Sequence, residues 1–543
     1  MQDYLRYVDA LLAHVSWAVD ARAALRDIDR KYPDPREKYE KVMEFVRAYT
    51  EQLRQAVKAA DGAAWVRGAR IYEIFPRAYN LKSNLENEGA WKSGRDPKFF
   101  ADFADKDLAD IQAKGFDTLW VMGIFPIGEK GRTGTGGGSP YSIKDHSALN
   151  PGLGSPEDFR DFVARAHRRG MRVIIDFVPN HTSMDSKMLD EHPDYFIHRP
   201  AQGDVPPSGY FLHQDSKTGK KYWIRHGGMA GWGGSRDYWI DTAQVDYSNP
   251  AFRREMVRIA GQWVQNYGVD GFRVDMAYLV TNAYFGGTWG NEMGASLPQR
   301  EFLEELITEV KARHPGTAFI AESYDRWDDL SSAGFDLIYG KNNMDRPGAH
   351  HGWYDAVASR DPGWIREALK RAEFLQWQAG GSDMLNFIGN HDESSPARVF
   401  GAWQGGAAFL TLLMPGSSLF YGSAEIGYDG AVSAEHKPLP FSVPAAIDWS
   451  KADPDTTRFY NETFQAAQAL KQELGDMDME VLRTDAAWVG YVLRPKDAQR
   501  ATRKAAVVIA NPTGRGVSVS FKAAGGIGYD GSLPPYGYAL LRY

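Results

Sequence analysis

The sequence predicts an α/β protein built on a (β/α)8 barrel, with an N-terminal helical extension, an inserted lobe and a C-terminal β domain. Short β-branched or aromatic runs alternate with amphipathic helical stretches over most of the 543 residues. A long insert follows the third run, and the last part changes to strand patterns separated by turns. Eight alternating units predict a parallel sheet whose economical closure is a barrel, and a doubly wound open sheet is the alternative.

Residues 1–65 form the predicted helical extension. Apolar residues recur at helical spacing from Leu5 to Val19, and a break follows at Pro33. The sequence Asp34-Pro35-Arg36-Glu37 then has the pattern of a helix N-terminus. The extension is therefore expected to contain two helices.

The barrel is predicted over residues 66–474. A helix is expected to begin after Ser155 and end at Gly170, and another to cover Pro250–Tyr267. The eight predicted strands are Arg70–Phe75, Thr118–Ile124, Met171–Val178, Val269–Asp275, Thr317–Glu322, Phe335–Tyr339, Met384–Gly389 and Ser417–Tyr421.

Two further units are expected outside the barrel. The segment of about 182–245 is rich in Gly, Asp and aromatic residues and is too long for an ordinary βα connection, which predicts a small lobe after strand three. Residues 475–543 contain the alternating runs Trp488–Leu493, Ala505–Ala510 and Val517–Phe521. They predict an antiparallel β-sandwich domain.

Composition excludes several classes of protein. Lys and Arg number 63 and Asp and Glu 70, and both signs are interspersed, which argues against a nucleic-acid partner. No apolar run approaches the length of a membrane-spanning helix. The first residues carry the acidic Asp3 and Asp9, whereas a secretion signal would begin with basic residues followed by an apolar stretch. We therefore expect a cytoplasmic protein without membrane association. The absence of cysteine excludes disulfides, thiolate metal sites and cysteine nucleophiles. The oligomeric state is not predicted.

Polar residues collect at the predicted carboxyl ends of four strands, which is where barrels place their chemistry. These ends are 176–181 after strand three, Arg273-Val274-Asp275, Glu322, and 389–392 after strand seven. Arg273 and Asp275 are two residues apart and share one face of a strand. Alone, such a pair is more often structural, but four polar strand ends together indicate one active site.

These segments resemble the signature sequences of the alpha-amylase family of glycoside hydrolases and transglycosidases. The segments are DFVPNH (176–181), GFRVD (271–275), AES (321–323) and GNHD (389–392), supported by QVDYSNP (244–250), GFDTLWVMGIFP (115–126) and MPGSSLFYGSAEIG (414–427). The resemblance covers about residues 66–543. It implies a barrel enzyme that acts on α-glucans with retention of configuration.

The resemblance implies that Asp275 is the nucleophile, Glu322 the general acid/base, and Asp392 the residue that grips the distorted sugar. A retaining glycosidase needs one ionised and one protonated carboxyl group about 5–5.5 Å apart. Arg273 would keep Asp275 ionised, and the apolar run before Glu322 would raise the pKa of that carboxyl through desolvation.

The resemblance also implies a set of residues that bind the substrate. His181 and His391 correspond to histidines that contact sugar hydroxyls, and Tyr141 in SPYSIKDH corresponds to a ring on which the sugar stacks, although a plain loop anchor is nearly as plausible for Tyr141. The implied substrate-binding residues are Tyr141, Asp176, His181, Arg273 and His391.

No cofactor is expected for the chemistry, but a structural Ca²⁺ is a separate question. Asn180 matches a position that ligates calcium in many relatives. In contrast, Tyr278 and Leu279 stand where α-amylases proper often carry a Lys-His pair. This departure argues against both calcium and the usual acceptor subsites.

The glycine-rich run Gly134–Gly138 has a composition that also occurs in phosphate-binding loops. No Lys-Ser/Thr follows and no helix is predicted to begin there, so a nucleotide-binding loop is disfavoured. A flexible loop at the rim of the site is the expectation.

The sequence is compatible with three functions. The leading prediction is a retaining hydrolase that cleaves α-1,4-glucosidic bonds of maltooligosaccharides, starch or glycogen. The alternative is a transglycosylase of the glucanotransferase or maltosyltransferase type, which the segment GEKGRTGTGGGSP weakly favours. An inactive carbohydrate-binding scaffold is the third, and the presence of Asp275, Glu322 and Asp392 argues against it.

Overall fold

The structure, a computed structural model, describes most of the chain. The described residues are 19–34, 37, 38, 40–42, 44, 45, 62–80, 98–231, 235–341, 352–377, 381–430, 435–496 and 504–543. In the extension, one helix covers Val19–Lys31, and helical turns follow within residues 37–45. The Asp34 carboxylate accepts a hydrogen bond from the Glu37 backbone N–H at 2.9 Å, so the predicted helix start is confirmed. Most of the helical pattern from Leu5 to Val19 lies outside the described residues.

Eight parallel strands close into a barrel, which confirms the fold class and excludes the open sheet. The strands are β1 (Arg70–Ile74), β2 (Thr118–Val121), β3 (Arg172–Phe177), β4 (Gly271–Val274), β5 (Ala318–Ala321), β6 (Leu337–Tyr339), β7 (Asp383–Asn386) and β8 (Ser417–Tyr421). Each strand pairs with its neighbours in sequence, and β1 pairs with β8 to complete the ring.

The strand register sets the polar residues at one level of the barrel. Arg273 on β4 lies opposite Asp176 on β3 and Ile320 on β5. Because the strands are parallel, the residues just beyond them reach the same mouth. The apolar residues of these strands, such as Ile174, Phe272 and Phe319, are fully buried and form the core below that level.

Helices surround the barrel, and their ends follow the predicted signals. Ser155 caps the helix Pro156–Arg168 through the Asp158 N–H, and Gly268 ends the helix Pro250–Tyr267 in the left-handed conformation at φ 71°. Within the described ranges, no helix has both the length and the apolar character required to cross a bilayer. The other helices are Phe99–Asp102, Asp105–Ala113, Lys187–Glu191, Asn282–Trp289, Phe302–Arg313, Trp327–Ala333, Trp353–Ser359, Pro362–Trp377, Pro396–Phe400, Gln404–Leu413 and Pro454–Leu474.

The insert after β3 folds into small antiparallel sheets. Strands His181–Ser183 and Thr242–Gln244 pair and form its base. Beyond this base lie the three-stranded sheet of His198–Pro200, Lys221–Arg225 and Tyr210–Gln214, and the pair Gly227–Ala230 with Arg236–Trp239. The predicted lobe is therefore present, and its exact boundaries stay a prediction.

The C-terminal residues form two antiparallel sheets with a shared core. One sheet contains β9 (Met477–Val481), β10 (Val489–Pro495), β11 (Ala506–Ala510) and β14 (Tyr538–Arg542), and the other contains β12 (Val517–Ala523) and β13 (Ile527–Leu533). Trp488, Val507 and Val519 are among the buried side chains between them. This arrangement agrees with the predicted β-sandwich.

Candidate active site

Arg273 lies at the centre of the candidate site and is 1% exposed. Its Nη1 donates to Asp275 Oδ1 at 2.7 Å, and its Nε donates to the Tyr339 hydroxyl at 3.2 Å. Its Nη2 lies 2.7 Å from Glu322 Oε2, as an ion-pair contact without hydrogen-bond geometry. Nη1 is also 3.7 Å from Asp176 Oδ1. One buried guanidinium thus gathers three carboxylates from β3, β4 and β5.

Asp176 is fixed from the neighbouring strand. The Trp120 indole N–H donates to Oδ1 at 3.2 Å, and the Gly123 backbone N–H donates to Oδ2 at 2.7 Å. Burial raises the pKa of this carboxyl to about 6, against the lowering effect of Arg273. Its contacts are therefore those of a group that orients Arg273 and the β2 loop.

Asp275 is buried at the end of β4. Burial raises the pKa of its carboxyl above the usual value, while Arg273 lowers it. The predicted influence of Arg273 is present, but the net direction is upward because the desolvation of a buried charge outweighs one shared cation.

Glu322 is also buried, just beyond β5. Its Oε2 accepts the Met276 N–H at 2.7 Å, and the Tyr324 hydroxyl donates to Oε1 at 2.7 Å. Burial raises the pKa of Glu322 to about 7, and the nearby charges of Asp275 and Asp392 add to the rise, while Arg273 opposes it. The upward shift agrees with the prediction from the apolar residues before it.

His391 and Asp392 form the opposite side of the site. His391 Nδ1 lies 2.5 Å from Glu73 Oε1, and its Nε2 lies 2.7 Å from the Tyr141 hydroxyl and 3.0 Å from Asp392 Oδ2. Burial would lower the pKa of His391, but Asp392 and Glu73 raise it to about 10. The two carboxylates thus favour the protonated form of the ring.

Lys437, on the loop after β8, was not predicted from the sequence. Its Nζ contacts Asp392 Oδ1 and lies 4.2 Å from the centre of the Phe441 ring. Burial alone would raise the pKa of Asp392, but His391 and Lys437 hold it well below its usual range. Each oxygen of Asp392 thus faces its own cation.

Glu73 was also missed, although a signal was available. It interrupts the apolar pattern of β1, as Arg273 interrupts that of β4. Its side chain is fully buried and points to His391. A charged residue inside a buried strand was the clue, whereas nothing in the loop around Lys437 marked that residue.

The glycine-rich run Gly134–Gly138 packs against the loop that carries Lys437. The backbone N–H groups of Thr135 and Gly136 donate to the Ser442 carbonyl at 2.8 and 3.0 Å. A Cβ at Gly134 would lie 2.0 Å from that oxygen, so the close approach requires glycine. The run is therefore a hydrogen-bonded part of the rim, held in place by Ser442.

Tyr141 and His181 occupy different positions. The Tyr141 ring is buried, with the Arg273 guanidinium carbon 5.2 Å from its centre and the His391 ring 5.4 Å away. His181 lies on the first strand of the lobe, and its ring is 5.0 Å from that of Trp239. Burial lowers the pKa of His181 to about 4, so this ring is neutral.

Asn180, the possible calcium ligand, is hydrogen-bonded within the protein. Its side-chain oxygen accepts a hydrogen bond from the Gln244 amide at 3.3 Å, and its backbone oxygen accepts one from the same amide at 2.8 Å. Within the described ranges, no group of three or more His, Asp or Glu side chains is arranged to hold a metal ion. Calcium prefers several carboxylate and carbonyl oxygens. Whether Asn180 binds calcium stays a prediction.

Comparison with known proteins places this geometry in a family. The model of the alpha-amylase catalytic domain matches residues 105–489. "Alpha-amylase 3" of Dictyoglomus thermophilum is 24% identical over 384 residues, which are 69% of this chain and 68% of that protein. An alpha-1,4-glucan:maltose-1-phosphate maltosyltransferase of Rhodospirillum rubrum is 31% identical over 285 residues, which are 49% of this chain and 32% of that enzyme. The chain thus matches only about a third of the length of that maltosyltransferase.

Solved structures share the fold. An alpha-amylase from Lactobacillus plantarum superposes with a TM-score of 0.59 at 22% identity and covers 88% of this chain and 99% of its own. A cyclic alpha-maltosyl-(1→6)-maltose hydrolase from Arthrobacter globiformis gives 0.60 at 18% identity, with 89% and 99% covered. Because the catalytic-domain model matches well over half of the residues, this chain belongs to the alpha-amylase family of enzymes.

Proposed function

We propose that this enzyme cleaves α-1,4-glucosidic bonds of maltooligosaccharides or larger α-glucans by a retaining double displacement. The observation that carries the proposal is the pair of buried carboxyl groups, Asp275 and Glu322, on one guanidinium. They come from adjacent strands, and the same cation touches both. A retaining glycosidase requires two such groups with different tasks.

In the first step, an oxygen of ionised Asp275 attacks the anomeric carbon while the bond to the leaving oxygen breaks. Glu322 gives its proton to that oxygen, which departs as a hydroxyl group. Because burial raises the pKa of Glu322 to about 7, a large fraction of the molecules carry this proton at neutral pH. The products are a glycosyl ester of Asp275 and a shortened glucan.

In the second step, the ionised Glu322 takes a proton from the incoming hydroxyl group. The oxygen of water, or of an acceptor sugar, attacks the anomeric carbon from the other face and releases Asp275 as a carboxylate. Two inversions return the α configuration. Hydrolysis and transfer therefore share every protein group and differ in the molecule that attacks.

The other site residues are assigned either to binding the substrate or, for Asp176 and Arg273, to positioning the reacting carboxyl groups. Asp392, ionised and held by His391, would accept hydrogen bonds from sugar hydroxyls as the ring flattens, and His391 and His181 would contact hydroxyls. Tyr141 packs directly on His391 and Arg273, which supports its assignment beside the cleaved sugar as well as its role as an anchor. Asp176 and Arg273 would keep the two reacting carboxyls in place.

Transglycosylation is the second candidate. It is supported by the similarity to maltosyltransferases and by Tyr278, which packs near Tyr324 with ring centres 6.0 Å apart. Tyr324 in turn donates to Glu322, so aromatic rings lie beside the acid/base. Tyr278 is itself buried, so Tyr324 is the ring of the two that remains partly exposed beside Glu322. We expect some transfer, with hydrolysis the larger share.

Proton NMR of the first products tests this proposal. A defined maltooligosaccharide is supplied alone, with rising concentrations of an acceptor sugar, and with inorganic phosphate. We expect the α-anomer to form before mutarotation. A β-anomer appearing first contradicts the double displacement, while elongated products at low acceptor concentration, or a sugar phosphate, would assign the enzyme to the transferases.

A further inference from the structure

Glu73 is a buried carboxylate that the proposed chemistry does not use. It lies on β1, is 0% exposed, and its Oε1 is 2.5 Å from His391 Nδ1. Among the described residues, its other oxygen has no hydrogen-bond partner. An ionised carboxylate in such a place is costly unless a positive charge lies against it. Burial raises the pKa of Glu73, while His391 and Arg273 lower it, so its charge depends chiefly on the one imidazole nitrogen that it faces.

The other nitrogen of the same ring shows which protonation state fits. Nε2 of His391 lies 3.0 Å from Asp392 Oδ2 and 2.7 Å from the Tyr141 hydroxyl. A neutral ring that donates from Nδ1 to Glu73 would turn a lone pair toward a carboxylate oxygen, which is repulsive. The Tyr141 contact suits either state, because the hydroxyl can donate to a neutral ring or accept from an imidazolium, whereas the 3.0 Å contact with the Asp392 carboxylate favours the imidazolium.

We infer that Glu73 is a positioning residue: it holds His391 as an imidazolium and through that ring fixes the ionised Asp392 in its sugar-binding orientation. The inference rests on the proposed function, since it assigns Asp392 to the sugar. Glu73 does not touch the substrate. It acts from the far side of the ring, as an orienting partner does for a functional histidine.

The other charged groups around Glu73 and His391, called the pair below, are consistent with this assignment. Asp176 adds negative charge near Glu73 and His391. Arg273 adds positive charge near Glu73, and Lys437 adds positive charge near Asp392. Burial raises the pKa of each tyrosine that faces the pair, so these groups stay neutral at working pH. The titratable groups that face the pair are Asp176 from β3, Arg273 from β4, Tyr339 from β6, Tyr421 from β8, and the loop residues Tyr141, Asp392 and Lys437.

The perturbation that isolates this role is Glu73→Gln, which keeps the shape and removes the charge. With Asp392 as its remaining close anion, His391 should lose its proton at a lower pH than in the wild type. Above that pH the neutral ring repels Asp392, and turnover should fall. Glu73→Asp keeps the charge and should restore part of the lost activity.

The pH profile must be measured on α-maltosyl and α-glucosyl fluoride, because the titration of Glu322 limits turnover of ordinary glucans at alkaline pH. Fluoride departs without a protein proton, so the wild-type rate should stay high above neutrality. For Glu73→Gln we expect kcat to fall about 10- to 100-fold at pH 9, with less than about a threefold loss at pH 6. An unchanged pH profile in a folded Glu73→Gln variant would overturn the inference.

A matched control separates this effect from general destabilisation. Glu425 is another buried glutamate at this end of the barrel; it pairs with Lys114 at 3.1 Å and accepts from the Tyr72 hydroxyl at 2.7 Å. Glu425→Gln should lower the melting temperature and leave the shape of the pH profile unchanged. A new alkaline limb in this control would show that any loss of a buried carboxylate shifts the profile.

A substrate-free measurement keeps the inference testable even if the proposed function fails. In ¹⁵N-histidine-labelled full-length protein, the His391 signals are assigned by their loss in His391→Asn. We expect both nitrogens to report an imidazolium at pH 8 in the wild type, and a neutral ring in Glu73→Gln. A neutral His391 in the wild type rejects the role of Glu73, whereas wild-type enzyme inactive on every glycosyl substrate rejects only the proposed function.

Discussion

Replacement of Glu322 by glutamine is the most informative single change, because its contacts allow an isosteric substitution. The glutamine oxygen can take the place of Oε2, which accepts from Met276 N at 2.7 Å and faces Arg273. The glutamine NH₂ group then faces the Tyr324 hydroxyl, which can reverse its 2.7 Å hydrogen bond and accept. We therefore expect a folded enzyme that lacks only the transferable proton.

The expected loss depends on the leaving group. General acid catalysis contributes about 10²- to 10⁴-fold, or about 3–5 kcal/mol at 1.36 kcal/mol per tenfold. Maltooligosaccharides should lose this full factor, whereas the first step on glycosyl fluorides should lose less than about tenfold. The wild-type activity on maltooligosaccharides should also fall as pH rises through about 7, because Glu322 must carry its proton, and this limb should vanish in Glu322→Gln.

Stopped-flow release of fluoride and steady-state rates on maltooligosaccharides give the two values. Added azide provides a further test, since it attacks the glycosyl-enzyme without a general base and should yield an α-glycosyl azide. Equal losses on both substrates, or a β-azide, would show that Glu322 is not the acid/base of a retaining mechanism.

Three further predictions follow from the same contacts. Asp275→Asn should reduce turnover by several powers of ten with an unchanged circular dichroism spectrum, and near-wild-type rates on a maltooligosaccharide would remove the nucleophile assignment. Lys437→Met should lower kcat/KM about fivefold, because a partly exposed charge-assisted contact to Asp392 is worth about 1 kcal/mol. Initial rates that are unchanged or higher would contradict this prediction. Dialysis against EDTA should leave the melting temperature unchanged, since Asn180 is bonded to Gln244, whereas a drop that Ca²⁺ reverses would show that a calcium site exists.

The fold was predictable because its signals are local and repeated. All eight strands were found from their apolar runs, although the predicted ends extend one to three residues too far in most cases. At β4 the predicted strand includes Asp270, but the Asp270 carboxylate accepts from Val173 N and pairs with Arg172 and His167 across the base of the barrel. Such tertiary contacts leave no periodic trace in the sequence. Lys437 escaped prediction for the same reason, because only the folded loop brings it to Asp392.

The direction of each pKa shift in the site depends on how many cations lie against each carboxylate. Asp275, Glu322 and Asp176 all depend on Arg273, so burial prevails and each pKa is raised. Asp392 instead has two cations of its own, His391 and Lys437, and its pKa is held well below the usual range. The proposed double displacement needs Glu322 to keep a proton near neutrality while Asp275 attacks in its ionised form, and Arg273 opposes the effect of burial on both groups. In the same proposal, Asp392 stays charged as positive charge develops on the sugar. In this proposal, side chains of one chemical type take different tasks because the strands distribute the cations unevenly.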